Sequence, residues 1–278
     1  MIRTAVLAAA AMIGFAANSL LCRAALRGGA IDAASFTAIR LATGACVLMA
    51  IAVARRGDAS PARGTWPSAI ALAAYAIAFS YAYTELSAGA GALILFGSVQ
   101  LTMIVGGLLR GERPTPLQWL GWLAAVAGLV VLNAPGIDPP PPGGAALMLV
   151  AGVAWGVYSL RGRGVTRPLE TTAGNFARTV PIAVGLVALA LITHAHVSTT
   201  GVVLAAASGG IASGLGYSLW YAAVPSLGAT RAAAVQLSVP VIAALAAVVL
   251  LGETLRPVLV IGGAANICGL ALALRARK

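Results

Sequence analysis

Charge is what this chain has least of. Only 9% of its 278 residues are charged and only 7 are acidic, where a soluble domain carries about 25% charged residues. Cysteine is scarce too: Cys22, Cys46 and Cys268 are odd in number, sit inside apolar runs and form no spaced pair. That argues against a disulfide framework or a metal knuckle. Enzyme signatures are missing as well. There is no His-Glu-x-x-His, no Gly-x-Ser-x-Gly and no Gly-Lys-Ser, so nothing marks a zinc peptidase, a serine hydrolase or a nucleotide site. The His194-x-His196 pair falls in a short polar stretch and is a weak basis for a metal. No carboxylate lies at the middle of an apolar run. The sequence therefore lends no support to a proton relay, while leaving other coupling routes open.

What is present is apolar surface. The chain is 60% hydrophobic, with a mean hydropathy of +0.95. One globular core could not hide so much, and lipid is the solvent this composition asks for. A spanning helix needs about 20 mostly apolar residues. On that ruler ten spans are predicted: 4–24, 34–54, 67–85, 88–109, 116–133, 143–161, 173–193, 200–222, 228–250 and 257–274. The first, with Arg3 before it, has the outline of a secretory signal. The polar break at Asn18–Arg23 spoils the apolar core that a signal needs, so a retained helix is expected. Pro139–Pro142 cannot continue a helix and falls near mid-chain, dividing residues 1–137 from 138–278.

The chain also repeats itself. Gly111, Glu112, Pro116, Gly121 and Gly128 recur as Gly252, Glu253, Pro257, Gly262 and Gly269, all at a constant offset of 141 without a gap. Lys and Arg between the spans then orient the chain. Arg3, Arg55, Arg56, Arg63, Arg110, Arg113, Arg161, Arg163, Arg167, Arg231, Arg275, Arg277 and Lys278 would share one face, leaving only Arg27 and Arg256 on the other. By the positive-inside rule both termini are cytoplasmic, and the net charge of +11 is a topology signal rather than a nucleic-acid footprint. Five spans per half is an odd count, so the halves face opposite ways. The expected fold is an all-α polytopic membrane protein of ten transmembrane helices in two inverted five-helix repeats, a common build for secondary transporters.

These features resemble the EamA-type drug/metabolite transporter superfamily. The likeness is carried by Pro240-Val241, the Val249–Glu253 run ending in Gly-Glu, and then Gly262 and Gly269. The first half keeps Gly111-Glu112 but has Val99 where the pattern expects Pro, and Arg40 and Arg178 each fall early in the second helix of a half. Overall the sequence is similar to the YddG-like amino-acid exporters. The resemblance implies efflux of small metabolites, often amino acids, from a bacterial inner membrane.

Polar side chains within spans usually face a cavity or a neighbouring helix. Candidate substrate contacts are Tyr81, Ser98, Gln100, Trp155, Tyr158, Tyr217, Trp220 and Gln236, with Ser213, Tyr217 and Tyr221 four apart on one stripe. Aromatic residues near span ends also form interfacial belts, and a Ser within a span also serves as packing glue. Arg40 and Arg178 are expected to be structural anchors or to snorkel. Glu112 and Glu253, at span ends, are expected to fix two equivalent turns. The small-residue run Ser208–Gly216, together with Pro181 and Pro240 inside spans, is where bending is expected. The reading is therefore a secondary transporter exporting small metabolites, foremost aromatic or other neutral amino acids. It works as a monomer in lipid, without cofactor, metal or nucleic acid. Export of drugs or other metabolites, or a solute channel, are the rival readings.

Overall fold

The computed structural model describes residues 2–56, 64–86, 88–133, 141–251 and 257–275. Glu253, Arg256 and the first two prolines of the Pro139–Pro142 run lie outside the described residues. Helices account for nearly everything described: α1 (Ile2–Arg27), α2 (Ala33–Arg56), α3 (Trp66–Glu85), α4 (Ala88–Leu108), α5 (Pro116–Asn133), α6 (Pro142–Arg161), α7 (Pro168–Ile192), α8 (Thr199–Ala207), α9 (Gly216–Leu227), α10 (Ala229–Gln236), α11 (Ser238–Leu251) and α12 (Pro257–Arg275). An isolated antiparallel bridge, Ile31 with Val197, joins the α1–α2 and α7–α8 connections.

Several helix starts are written locally. Asp32 accepts from the Ser35 N–H at 2.9 Å ahead of α2, and Ser198 accepts from the Gly201 N–H at 3.1 Å ahead of α8. Before α5, Thr115 and Gln118 bond each other's backbone N–H in a reciprocal capping box. Each such cap satisfies donors that the first turn leaves free. Pro stands in the first turn of α3, α6 and α7, where its missing N–H costs nothing.

Two places depart from regular helix. Between α8 and α9 the chain continues as a π-helical segment, Ser208–Leu215, in the small-residue run where bending was expected. A Cβ on Gly209 would overlap Arg40 O and Thr43 Oγ1, so glycine lets this segment lie directly on the α2 backbone. The predicted span 228–250 is interrupted at Leu237, between α10 and α11. Pro240 explains the break. It has no N–H to offer the Gln236 carbonyl, and its ring crowds that position.

Seven helical runs among the described residues are long and apolar enough to cross a membrane, two of them passing through the interruptions (Thr199–Leu227 and Ala229–Ala246). Two shorter apolar helices run over Pro116–Val131 and Val260–Arg275. The apolar residues outside the core point outward: Leu101, Leu123, Val184, Val203 and Ile261 are all exposed. In water that would be a very large apolar surface. Polar side chains such as Asn18, Arg40, Gln100, Asn175 and Gln236 are buried instead. This is a multi-pass membrane protein, apolar outside and polar at its centre.

The two sequence repeats are interleaved rather than side by side. α6 packs on α3 and α4, α1 packs on α9 and α11, α2 packs on α7, and α5 packs on α12. The last pair is antiparallel and glycine-mediated. A Cβ on Gly128 would stand 2.6 Å from Gly262 O, and one on Gly269 would stand 2.6 Å from Gly121 O. At the centre of the crossing Asn266 Nδ2 donates to Ala125 O at 2.9 Å, between positions separated by 141. Small residues that let backbones touch are how helices associate where lipid removes the hydrophobic drive.

Candidate functional site

The buried polar and aromatic side chains gather where α1, α2 and α3 meet α6, α7, the π-helical segment, α9 and α10. Trp155 is the hub. Its ring centroid lies 4.5 Å from Tyr217, 5.0 Å from Tyr75, 5.1 Å from Phe15 and 5.5 Å from Tyr158. Tyr158 stacks on Tyr221 at 4.7 Å, and Phe176 approaches Tyr217 at 6.0 Å. The edge-on and tilted geometries are those aromatic quadrupoles favour.

Hydrogen bonds fix these rings. Trp155 Nε1 donates to Gln236 Oε1 at 2.5 Å, and Gln236 Nε2 donates to Met103 Sδ at 3.0 Å. The α10–α11 break thus sits one residue after the amide that holds Trp155. Trp220 Nε1 donates to Ser159 Oγ at 3.0 Å, Tyr221 Oη to the Tyr158 carbonyl at 2.9 Å, and Asn175 Nδ2 to Tyr158 Oη at 3.4 Å.

Arg40 lies against this aromatic cluster and is 1% exposed. Its Nη2 donates to Tyr217 Oη at 2.6 Å and Tyr75 Oη at 3.3 Å, and its Nε donates to Ser213 Oγ at 3.0 Å. The guanidinium carbon is 5.2 Å from the Tyr75 ring centroid and 5.6 Å from that of Phe79. Asn18 closes the arrangement, with Oδ1 accepting from Ser208 at 2.6 Å and Ser213 at 3.3 Å. The widened π-helical turn supplies Ser208 and Ser213, and leads straight into Tyr217. Such bulges often mark working sites in helices.

The structure brings Trp155, Tyr158, Tyr217, Trp220 and Gln236 together, and adds Arg40. The other sequence candidates lie elsewhere. Ser98 donates to Ile94 O in its own helix at 2.7 Å and stands against Gly152, an α4–α6 packing position. Gln100 is buried, with neither amide atom bonded. Tyr81 is half-buried, and no ring contact joins it to the cluster among the described residues. The sequence reading missed Tyr75 and Phe79. The signal was there: Tyr75, Phe79 and Tyr83 are spaced by four, and the Tyr75–Phe79 and Phe79–Tyr83 rings touch at 5.3 and 4.8 Å. Arg178 is half-buried and bonds Gly174 O at 3.0 Å in its own helix.

Two cavities open at the end of the bundle that carries Arg161 and Arg163. One, of about 260 Å³, is lined by Thr65, Ser68, Arg161, Val165, Thr171 and Tyr221 and so reaches the edge of the aromatic cluster. The other, of about 440 Å³, includes Glu112, Arg163, Gly228 and Thr230. Glu112 accepts from the Ala229 and Thr230 N–H groups at 2.9 and 3.1 Å and pairs with Arg163 Nη2 at 2.7 Å. Burial pushes the Glu112 carboxyl up, but those N–H donors and Arg163 outweigh it and hold the carboxyl below its ordinary value. Gly228, at φ +74, has the left-handed backbone that lets α10 start under this carboxylate. Among the described residues no three His, Cys, Asp or Glu side chains converge as metal ligands.

The EamA-like transporter family model matches this chain twice, over residues 2–134 and 142–275. An uncharacterized protein of Pseudomonas aeruginosa is 52% identical over 275 residues, spanning 99% of this chain and 96% of its own. A protein of Streptantibioticus cattleyicolor named a probable terminal-alkyne amino-acid exporter is 28% identical over 242 residues, 83% of this chain and 80% of its own. The Escherichia coli inner membrane transporter YedA is 30% identical over 83 residues, 30% of this chain and 27% of its own. A crystal structure of a protein 23% identical superposes with a TM-score of 0.76, covering 95% of this chain and 97% of that one, which speaks to the fold.

Proposed function

We propose, for a chain that belongs to the EamA-like transporter family, that it is a secondary carrier exporting small metabolites, foremost aromatic or other neutral amino acids, across a bacterial inner membrane. Its ten spans form two inverted halves, residues 1–137 and 138–278, with both termini in the cytoplasm. The halves rock about the aromatic cluster to expose it to each side in turn.

One observation carries the reading. The polar and aromatic residues converge where helices of both repeats meet, and there they are sealed: Arg40, Tyr158, Tyr217, Trp220 and Gln236 are each at most 1% exposed. A carrier needs a solute site that can be closed from both sides, whereas a channel needs a continuous path. The Tyr221-lined cavity at one end gives the solute an approach from the cytoplasmic face. Apolar walls with a few fixed polar groups suit a small amphipathic solute. The exporter name of the Streptantibioticus relative points the same way.

Counterflow in proteoliposomes tests it. Vesicles loaded with unlabelled phenylalanine or leucine should accumulate external labelled amino acid faster than unloaded ones, and the flux should saturate. Flux that neither saturates nor responds to internal solute would make the protein a channel. Flux no greater than in empty vesicles, for aromatic and aliphatic amino acids alike, would overturn the amino-acid reading.

A further inference from the structure

Arg40 is a buried cation whose partners are all neutral. Its hydrogen-bond acceptors are the hydroxyls of Ser213, Tyr75 and Tyr217, and none of the described carboxylates bonds it. Its Nη1 is buried and has no acceptor at all. A guanidinium does not escape burial by losing its proton, so its charge persists away from water. A buried charge lacking a counter-charge is costly to keep. The rings of Tyr75 and Phe79 beside it offer cation–π attraction, which softens the cost and leaves the Nη1 hydrogens unsatisfied.

The surroundings hold that edge in place. Ser213 and Tyr217 come from the π-helical turn and α9, Tyr75 from α3, and Gly209 seats the turn on the Arg40 backbone. Three hydroxyls pin Nε and Nη2 while Nη1 is left over. An anion placed there would complete the hydrogen bonding and neutralise the charge in one step. The single positive charge, ringed by aromatic faces, suits a monoanionic carboxylate with an apolar body better than a phosphate dianion, which calls for a second cation.

We propose that Arg40 is the recognition point for the carboxylate of the transported solute, which it engages through Nη1. This rests on reading the chain as a carrier of amino acids. Binding and flux are therefore to be measured separately.

For binding, the detergent-purified protein is heated with L-phenylalanine, L-phenylalanine amide or 3-phenylpropionate. Wild type should be stabilised by phenylalanine with an apparent affinity about tenfold or more above that for the amide. Arg40→Gln should lose this preference to within about twofold. Arg40→Lys should keep a reduced preference, since it retains the charge but not the planar fork. Arg178→Gln, whose arginine bonds its own helix, should keep the full preference. A 3-phenylpropionate response equal to that of phenylalanine means the carboxylate alone is read, which also fits. The same preference in Arg40→Gln as in wild type overturns the proposal, as does a wild type that none of the carboxylates stabilises. Should Arg40→Gln fail to purify as a monodisperse protein, Arg40→Lys decides: an undiminished acid-over-amide ratio there means that the guanidinium is not the reader. Counterflow with the same compounds tests the carrier reading apart from this. Binding that discriminates acid from amide without flux keeps the Arg40 assignment and removes the carrier, while flux without discrimination does the reverse.

Discussion

Two of the places where a helix of the first repeat packs on its own counterpart in the second are built differently. Where α5 crosses α12, the repeats do the same thing twice. Gly128 against Gly262 is matched by Gly269 against Gly121, and the Asn266–Ala125 hydrogen bond joins residues at the repeat offset. Where α2 meets α7, they diverge. Arg40 is sealed among Tyr75, Tyr217 and Ser213, while Arg178 is half-buried on a carbonyl of its own helix. Symmetry here belongs to the glycine crossing and asymmetry to the buried aromatic cluster. In the proposed carrier, halves that exchange conformations would keep their shared contacts equivalent, whereas a small chiral solute would be held by groups that differ.

The largest effect should come from breaking the symmetric contact. In Gly128→Leu the new side chain would have to enter where a Cβ alone would be 2.6 Å from Gly262 O, and closer still to Asn266 N. Backbone cannot yield as a side-chain end can, so the loss should be about 3 kcal/mol or more, at the upper end of overpacking costs. Loss of monodisperse protein, or a melting temperature far below wild type, is the expected outcome. A near-normal melting temperature would mean that this crossing does not hold the halves together.

Next in size is the asymmetric cluster. Gln236→Ala removes the acceptor of the Trp155 indole N–H and leaves that donor buried, which costs about 1–3 kcal/mol. Trp155 is then free to tilt, and counterflow should fall about tenfold. Gln100→Ala provides the contrast. Neither amide atom of Gln100 is bonded, so its truncation should leave stability within about 0.5 kcal/mol of wild type or raise it. A drop in flux at unchanged stability would then assign Gln100 to the solute. An unchanged flux would make it a packing residue on α4.

The sequence made the repeat readable and only part of the buried aromatic cluster. Glycines at fixed register and apolar runs are local patterns, which is why the repeat and the all-helical membrane character could be seen without coordinates. Seven described runs, against the ten spans expected, are long and apolar enough to cross. Trp155, Tyr158, Tyr217, Trp220 and Gln236 were reachable because polar groups in apolar runs are costly and need partners. Arg40 was not. An arginine a few residues into a span reads as snorkelling to the surface, and what prevents this is Gly209 and the π-helical turn on a distant helix. Tyr75 was overlooked for another reason. Two stripes overlap on α3, one through Tyr81 and Glu85 and one through Tyr75, Phe79 and Tyr83, and the second carries the ring contacts.

A smaller effect separates the two arginines. Arg178→Met should lower the melting temperature slightly, by no more than about 1 kcal/mol of stability, since the side chain is only half-buried and its bond to Gly174 O stays within its own helix. Its counterflow should stay within about twofold of wild type. Equal and complete losses in Arg40→Met and Arg178→Met would dissolve the contrast, and make both arginines scaffold.

The smallest effect belongs to Glu112, which sits between the two kinds of contact. It is part of the repeated motif, yet it reaches across to the other half, where it caps α10 and pairs with Arg163. Its carboxyl is held below the ordinary value, so ionised Glu112 stabilises the fold. That contribution is fully present above the ordinary carboxylate value of 4.5 and fades as pH falls through the lowered one. Wild type should therefore melt above Glu112→Gln at pH 7, by the equivalent of about 1 kcal/mol or less for a partly solvated carboxylate at a helix start. The gap should narrow below pH 4.5 as the carboxylate takes up its proton. A gap that stays constant with pH would mean that Glu112 acts through shape, and its reach across the halves would then be packing rather than an ionic tie between them.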